Sequence, residues 1–509
     1  MTYRLVVFTA ALGGHVERTI ETVLKRQKDI EILVVLHQPP RRLKTLLRNQ
    51  MRNVRKHGWR WIPYQFREVL RLSRPTKPHR GGSAGGGVDV RVERVSNINA
   101  ASTIETVRAF APDLGLSLAA PILKPGLFDV PVQGTLNIHK GKLPDYRGMP
   151  PAFWEIWNGA GEVGITVHKV EAGLDTGPVL IEESIPVEPH STPTGLRVRL
   201  DEIGVRIMAD AVALMREGKA AFRPQTPGGR TYTRPTLAQE AALKRRTAPR
   251  SGKAIIKSGV FRAYSALRPT DRNRVLVLLY HRVSDALRDS VTIGVEQFDE
   301  HMRYLAGNTR IVSLDDITKD RLPADGPIVA VTFADGYLDN YENAAPILIR
   351  HGIPATFFVS TGKVDENAPF EHDLRKLGRG LPNMNWDQIR EMQAEGLTFG
   401  SHTVNHINLA KSEPGLVEKE LLASRATLER ELGLGEVMFA YPFGKRADIT
   451  PERLEQVKAA GYVANCSAYG GVNSREIDPW NIRRQGVDHS YDVPAIAAKL
   501  AGWKSTHYV

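Results

Sequence analysis

Apolar runs of strand length recur along the chain in two rhythms. In the first half, "YRLVVFT" (3–9) and "IEILVVLH" (30–37) flank a Gly13-Gly14 turn and a helical pattern at 15–27. This β-loop-α-β opening predicts a doubly wound parallel sheet, although a lone glycine pair is no evidence of a nucleotide site. After a glycine-rich loop at 80–87, "VDVRVERV" resumes as a strand. A helical stretch at 100–111 then leads into the buried strand "DLGLSLAA". Between 185 and 236 short strands and one helix predict a small appended subdomain. From Arg274 the rhythm changes. "VLVLLYH", "IVAVTF", "ATFFVS", "LTFGSH", "VMFAYPFG" and "YVANCS" alternate with helical segments, which predicts a parallel barrel or a deformed variant of one.

At 509 residues the chain exceeds what one core supports. The expected organisation is an α/β domain at 1–184 interrupted by a basic insertion at 41–87, the subdomain at 185–236, a linker at 237–273, and a second α/β domain at 274–509. Residues 237–274 hold ten Lys/Arg among Ala, Ser and Pro. Hydrophobic content of 42% and charged content of 25% are ordinary for a soluble globular protein. No apolar run approaches the ~20 residues of a membrane span. The N-terminus runs straight into patterned structure, so a secretory signal is not expected. A single cysteine, Cys466, fits a reducing compartment, and the expected location is cytoplasmic.

The net charge of +13 is concentrated. Residues 41–80 hold thirteen Lys/Arg against one acid, Glu68. Leu43, Leu46, Leu47, Met51 and Val54 there follow a helical spacing, and Trp59, Trp61, Tyr64 and Phe66 come next. Such a segment suits a peripheral membrane or another phosphate-rich partner. Equally, it suits an inserted helix docked by its apolar face with its charges solvated.

Three polar clusters stand just past separate strands of the second half. They are Asp335 after "VAVTF", His402 and His406 after "LTFGS", and Tyr441-Pro442-Phe443-Gly444 after "VMFA". In a parallel barrel the strand C-termini open on one face, so the clusters are expected to converge. His402 and His406 are four apart, which on a helical turn aims both rings one way. Two imidazoles and a carboxylate with open positions suit a catalytic divalent ion, zinc first, which acidifies a bound water and polarises a carbonyl. A lone H-x-x-x-H pair is more often a helix surface; the ordered set of three clusters favours the metal. Ala334, beside Asp335, cannot take a proton.

In this order "TFADGYLDN", "SHTVNH" and "YPFG" resemble the polysaccharide deacetylase family, carbohydrate esterase family four, over roughly 274–509. The resemblance implies removal of N-acetyl, or in some relatives formyl, groups from amino sugars. It also implies Asp335, His402 and His406 as metal ligands, with Tyr441, Pro442, Phe443 and Gly444 expected on the substrate side. The family's general base falls on Ala334, a departure that typically costs ~10²–10⁴-fold. Three readings follow: a replacement that silences the enzyme, a variant with its base supplied elsewhere, or a metal-binding module without turnover. Asp339 is the nearest carboxylate in sequence for the second reading. The family also uses a late histidine acid, for which His489 is the candidate before His507.

"GTLNIHKGKLPDYRGMPP" (134–151) is the dense stretch of the first half. Asn137 and His139, two apart at a strand end, share a face. Asp175 follows in "EAGLDTGPVL", with Gly173 and Gly177 marking tight backbone. An amide, an imidazole and a carboxylate suit acyl transfer to an amine, and equally they suit strand-end capping. "NIH…LPDYRG", with "WNG", "GITVHKVEAGLDTGPVL" and an upstream "PDLGLSLAAPILKP", resembles the folate-dependent formyltransferase family over about 1–236. That family includes methionyl-tRNA and sugar N-formyltransferases. The resemblance implies a Rossmann-like catalytic domain with Asn137, His139 and Asp175 as its catalytic residues. It implies 10-formyltetrahydrofolate as donor, gripped by backbone near Leu118, Ala119, Ala120 and Pro121. The chain departs from the family at "HKGKLP", where Lys140 and Lys142 add charge that favours a phosphorylated acceptor.

The expected protein is a bifunctional enzyme acting on a nucleotide-linked or lipid-linked amino sugar. Its second half would remove N-acetyl, and its first half would cap the freed amine with formyl. The alternatives are formylation of an aminoacyl-tRNA, with 41–80 as an RNA surface, and a second half that only holds a sugar or metal.

Overall fold

The computed structural model describes residues 2–12, 15–38, 90–247, 252–268, 273–365 and 368–503. The basic segment 41–80, the insertion 41–87 that contains it and the Gly13-Gly14 turn lie outside the described residues. The chain divides into two compact units, Met1–Ala248 and Pro249–Val509.

The first unit is built on a seven-stranded sheet. Its strands are β1 (Tyr3–Thr9), β2 (Ile30–His37), β3 (Val90–Val95), β4 (Leu114–Ser117), β5 (Thr135–His139), β7 (Glu162–Lys169) and β8 (Val179–Pro186), in the order β3-β2-β1-β4-β5-β7-β8. The first five are mutually parallel, while β7 runs antiparallel to both β5 and β8. β1 and β2 bury nearly every side chain, which is why their sequences are apolar runs rather than alternating ones. A short pair, β6 (Tyr146–Gly148) with β9 (Arg230–Tyr232), lies beyond the end of β5. Residues 185–236 supply the helix Pro193–Arg216, whose Leu196, Leu200, Ile207 and Met208 sit in the same apolar cluster as Leu5, Ile32 and Leu136. Helix Leu237–Thr247 closes this unit, its Leu243 in that cluster.

Helix Gly252–Leu267 belongs to the second unit and packs on helix Val493–Leu500. Phe261 and Tyr264 meet Trp503 edge-on at 5.3 and 4.9 Å. The strands of this unit are β10 (Arg274–Tyr280), β11 (Arg282–Val283), β12 (Thr292–Ile293), β13 (Arg310–Ile311), β14 (Ile328–Phe333), β15 (Ala355–Val359), β16 (Thr398–Ser401), β17 (Met438–Ala440), β18 (Ala464–Cys466), β19 (Asn473–Ser474) and β20 (Arg484–Gly486). Parallel pairing runs β18-β17-β16-β15-β14-β10-β20. A parallel bridge from Cys466 to Ile482 ties β18 to the chain entering β20, so the sheet curls back on itself as a deformed barrel. The strand C-termini therefore gather on one rim, where the polar clusters stand.

Candidate active sites

On the rim of the second unit the chain leaves β14 in a tight turn. Gly336 N–H donates to the Ala334 carbonyl at 3.1 Å, and Asp335 between them sits at φ +78°. An i→i+2 bond around a non-glycine residue at positive φ is uncommon and strained, and it turns the carboxylate onto the rim. Across the sheet, β16 delivers His402. The five residues His402–His406 form no helix: Thr403 and His406 have φ of +65° and +60°. The expected helical turn is replaced by a loop, because Glu420 of helix Pro414–Leu432 takes the Val404 and Asn405 N–H groups at 2.8 and 2.9 Å. The rings still converge. His402 Nε2 and His406 Nε2 lie 3.5 and 3.2 Å from Asp335 Oδ1, and the three ligand atoms fall within 4.8 Å of one another.

The donor set fits a divalent ion. His402 Nδ1 donates to the Ala440 carbonyl at 2.7 Å, which fixes the tautomer and leaves the Nε2 lone pair facing the cluster. Burial, together with the neighbouring His406, holds the His402 pKa well below its ordinary value, so the ring is neutral, as a ligand must be. For Asp335 burial acts to raise the pKa. The hydrogen bond with His406 and the fields of His406, His281 and His402 outweigh it and keep the carboxylate ionised.

Ala334 is buried with Leu279 and Ala468, an apolar setting at the place where a base would stand. Asp339 accepts from Val283 N–H at 3.1 Å and from Asn340 Nδ2 at 2.9 Å. Burial raises its pKa to about 6, and it is not part of the Asp335 cluster. His489 is exposed, its Nδ1 bonded to the Asp289 carbonyl at 2.8 Å. In the YPFG stretch, Phe443 at φ +63° places its ring 5.0 Å from His406, while Tyr441 is buried beneath with its hydroxyl unpartnered.

Two further groups escaped the sequence reading. His372 Nε2 sits 4.0 Å from Asp335 Oδ2 and 2.8 Å from Tyr337 Oη, on a helix that no motif marks. Arg484 is buried, donates Nε–H to the Ser467 carbonyl at 2.8 Å, and has no partner for Nη1. The field of Asp335 acts on it.

In the first unit the three expected residues also converge. His139 Nδ1 is 3.4 Å from Asp175 Oδ2, and Gly148 N–H donates to the same oxygen at 3.2 Å. His139 Nε2–H donates to the Tyr146 carbonyl at 2.6 Å, so a second proton would bind at Nδ1, beside the carboxylate. Asn137 Nδ2 lies 3.1 Å from Nε2 of His168, and that nitrogen is 3.6 Å from Asp175 Oδ1. His168 is thus a fourth member, brought in by the antiparallel register that sets it opposite Asn137. Spacing along the chain gave no sign of it. Burial lowers the His139 pKa, partly opposed by Asp175. Burial acts to raise the Asp175 pKa, but the hydrogen bond with His168 and the fields of both histidines keep it low. Asp175 itself is at φ +53°, and a Cβ on Gly177 would meet the Lys169 carbonyl oxygen at 1.9 Å.

Lys140 is paired with Asp201, and Lys142 with Glu162. Beyond the end of β4, Leu118 N–H donates to the Phe8 carbonyl at 3.0 Å. The Ala119 carbonyl, at a residue with φ +51°, accepts from Ala10 N–H at 3.2 Å. Ala120 and Pro121 follow, half-buried, at the crossing from β1 to β4, where parallel sheets of this kind open a crevice.

Residues 3–212 match the formyl transferase family, and residues 321–464 match the polysaccharide deacetylase family. Both are families of enzymes. The chain therefore joins a segment similar to formyl transferases to a segment similar to polysaccharide deacetylases. The methionyl-tRNA formyltransferase of Pelobacter propionicus is 34% identical over 156 residues, 30% of this chain and 49% of that protein. YxkH of Bacillus subtilis, named for polysaccharide deacetylation, is 26% identical over 234 residues, 45% of this chain and 76% of its own. The solved structure of IcaB from Ammonifex degensii is 28% identical with a TM-score of 0.38, covering 45% of this chain and 98% of that one. The chain spans about half the length of the methionyl-tRNA formyltransferases it matches. Among the described residues no helix is long and apolar enough to cross a membrane.

Proposed function

We propose that the protein exchanges one acyl group for another on an amino sugar carried by a nucleotide or a lipid. The deacetylase unit exposes the amine, and the formyl transferase unit caps it with formyl from 10-formyltetrahydrofolate. The observation that carries this reading is the joining of the two domains in one chain, each with a converged set of polar residues. Formylating and deformylating one amide in the same protein would be futile, whereas removing acetyl and adding formyl gives a net product.

In the transferase, Asn137 donates to the oxygen that becomes negative as the amine adds to the formyl carbonyl. His139, neutral through burial, takes the proton the amine gives up, and Asp175 stabilises the imidazolium that forms. Backbone near 118–121 would hold the folate, and Lys140 and Lys142 would flank the acceptor. In the deacetylase, Asp335, His402 and His406 hold a divalent ion, which when bound supplies an acidified water and a Lewis acid. Phe443 lines the substrate side, with Tyr441 buried beneath it. With alanine at 334, the chain lacks the carboxylate that takes the water's proton. Deacetylation is accordingly slow in this protein unless another group serves.

The test is mass spectrometry of UDP-linked amino sugars and their N-acetyl forms, incubated with 10-formyltetrahydrofolate and either the unchanged chain or Ala334→Asp. Formylation of the free amines is expected from both proteins, and conversion of the acetylated sugars from the variant. No formylation of any sugar, combined with formylation of methionyl-tRNA, would replace this reading with the tRNA one. That second reading is favoured by the names of the matched relatives and weakened by the half of their length that is not matched.

A further inference from the structure

A pocket opens directly beside the transferase residues. Lys140, Tyr146, Gly148, Trp154, Glu155 and Tyr232 are among its walls. It adjoins the Asn137–His139–Asp175 site, since two of its wall residues bond to that site: the Tyr146 carbonyl accepts from His139 and the Gly148 amide donates to Asp175. Aromatic rings form one wall. Tyr146 and Tyr232 stack at 5.4 Å and 14°, and Trp154 and Tyr232 at 5.2 Å and 26°.

Glu155 is the anomaly. It sits in the short helix Phe153–Trp157 between Phe153 and Ile156, both core residues, and is 3% exposed. Among the described residues, its own backbone N–H is the group its carboxylate meets. Lys140, which shares the pocket, is engaged by Asp201. A buried carboxylate bonded only to its own backbone N–H recovers little of its desolvation cost, and native proteins keep such groups where function needs them. Burial raises its pKa to about 7, as expected of an acid with no compensating cation.

We propose that Glu155 is the acceptor-binding residue of the formyl-transfer site and receives hydrogen bonds from the hydroxyl groups of an amino-sugar ring laid against the Tyr146–Tyr232–Trp154 wall. A carboxylate with two acceptor oxygens matches two neighbouring hydroxyls, and an aromatic face matches the C–H face of the ring. An apolar aminoacyl side chain would leave the carboxylate unsatisfied. The inference rests on the formyl-transfer reading and narrows its acceptor to the sugar itself.

Saturation-transfer NMR on the full chain with folinic acid bound, using D-glucosamine, D-galactosamine and methionine methyl ester as probes, tests it. Both amino sugars are expected to bind, and the methionine ester is not. Glu155→Gln is expected to weaken amino-sugar binding by about 10-fold or more, with folinic acid affinity unchanged. Glu155→Gln and Glu155→Leu are both expected to raise Tm by about 2–4 °C, whereas a structural carboxylate would give a fall. Unchanged amino-sugar binding in Glu155→Gln overturns the proposal, as does preference for the methionine ester or binding of neither sugar by the unchanged chain. In each of those cases the formylation assay on free amines decides separately whether formyl transfer stands.

Discussion

Restoring a carboxylate at position 334 is the sharpest test of the second unit, since the structure predicts both a gain and a cost. Ala334 is 1% exposed, beside Leu279 and Ala468, and directly precedes the ionised Asp335. An aspartate there is desolvated and faces a like charge, both of which raise its pKa. Two features would offset this: a divalent ion bound at Asp335, His402 and His406, and the charge of buried Arg484, on which the field of Asp335 acts. Without metal, Ala334→Asp is expected to destabilise the unit by about 2–4 kcal/mol, the range for a buried charge left imperfectly paired. For a unit of this size that lowers Tm by about 4–16 °C, and saturating zinc should recover much of the loss. With zinc bound, acetate release from N-acetylated hexosamine oligomers should rise ~10²–10⁴-fold over the unchanged chain, a barrier lowered by roughly 3–5 kcal/mol. A double variant with Arg484→Met should lose most of that gain while still binding zinc. Two results would refute the reasoning. One is a zinc-loaded Ala334→Asp protein no faster than the unchanged chain. The other is an unchanged chain already turning over at the variant's rate, which would move the base elsewhere, with His372→Ala the next variant to measure.

Metal binding should depend on the loop between the two histidines. Glu420→Ala removes the acceptor of two backbone N–H groups and is expected to weaken zinc binding by about 10–100-fold in a calorimetric titration, with His402→Ala abolishing it. In the transferase, Asn137→Ala and Asp175→Asn should each reduce formyl transfer by ~10²-fold or more in a single-turnover assay, while folinic acid binding persists. Glu155 gives the first unit a pH signature. Its folded pKa of about 7 lies above an unfolded value near 4.5, so the native state holds the extra proton between these values. Stability then falls as pH rises through that window, by roughly 3 kcal/mol in total, and Glu155→Gln should flatten the slope in urea unfolding curves.

What the sequence displayed and what it concealed follow from the range of the interactions. β10 and β14 were legible because strands covered on both faces are uninterrupted apolar runs, as "VLVLLY" and "IVAVTF" are. Asp335, His402, Asn137 and His139 were legible because each stands at or near the end of such a strand, and parallel strands end on one rim. Asp175 was marked by its flanking glycines but given its catalytic role by resemblance, since its reach to His139 depends on a loop that Gly177 lets pass against Lys169. The shape of the histidine loop was misread because a spacing of four is shared by a helical turn and by a loop held from outside, and Glu420, sixteen residues from Val404, decides between them. His168, His372 and Arg484 lay beyond reach for the same reason. Each joins its site through strand register or a long side chain, neither of which leaves a local pattern. The same logic bears on Ala334. A lost base changes one residue and no packing pattern, so the strand, the turn and the metal ligands persist around it. Buried Arg484, unpartnered at Nη1, and the unpartnered Tyr441 hydroxyl are among the buried polar groups left unsatisfied near the metal-ligand cluster.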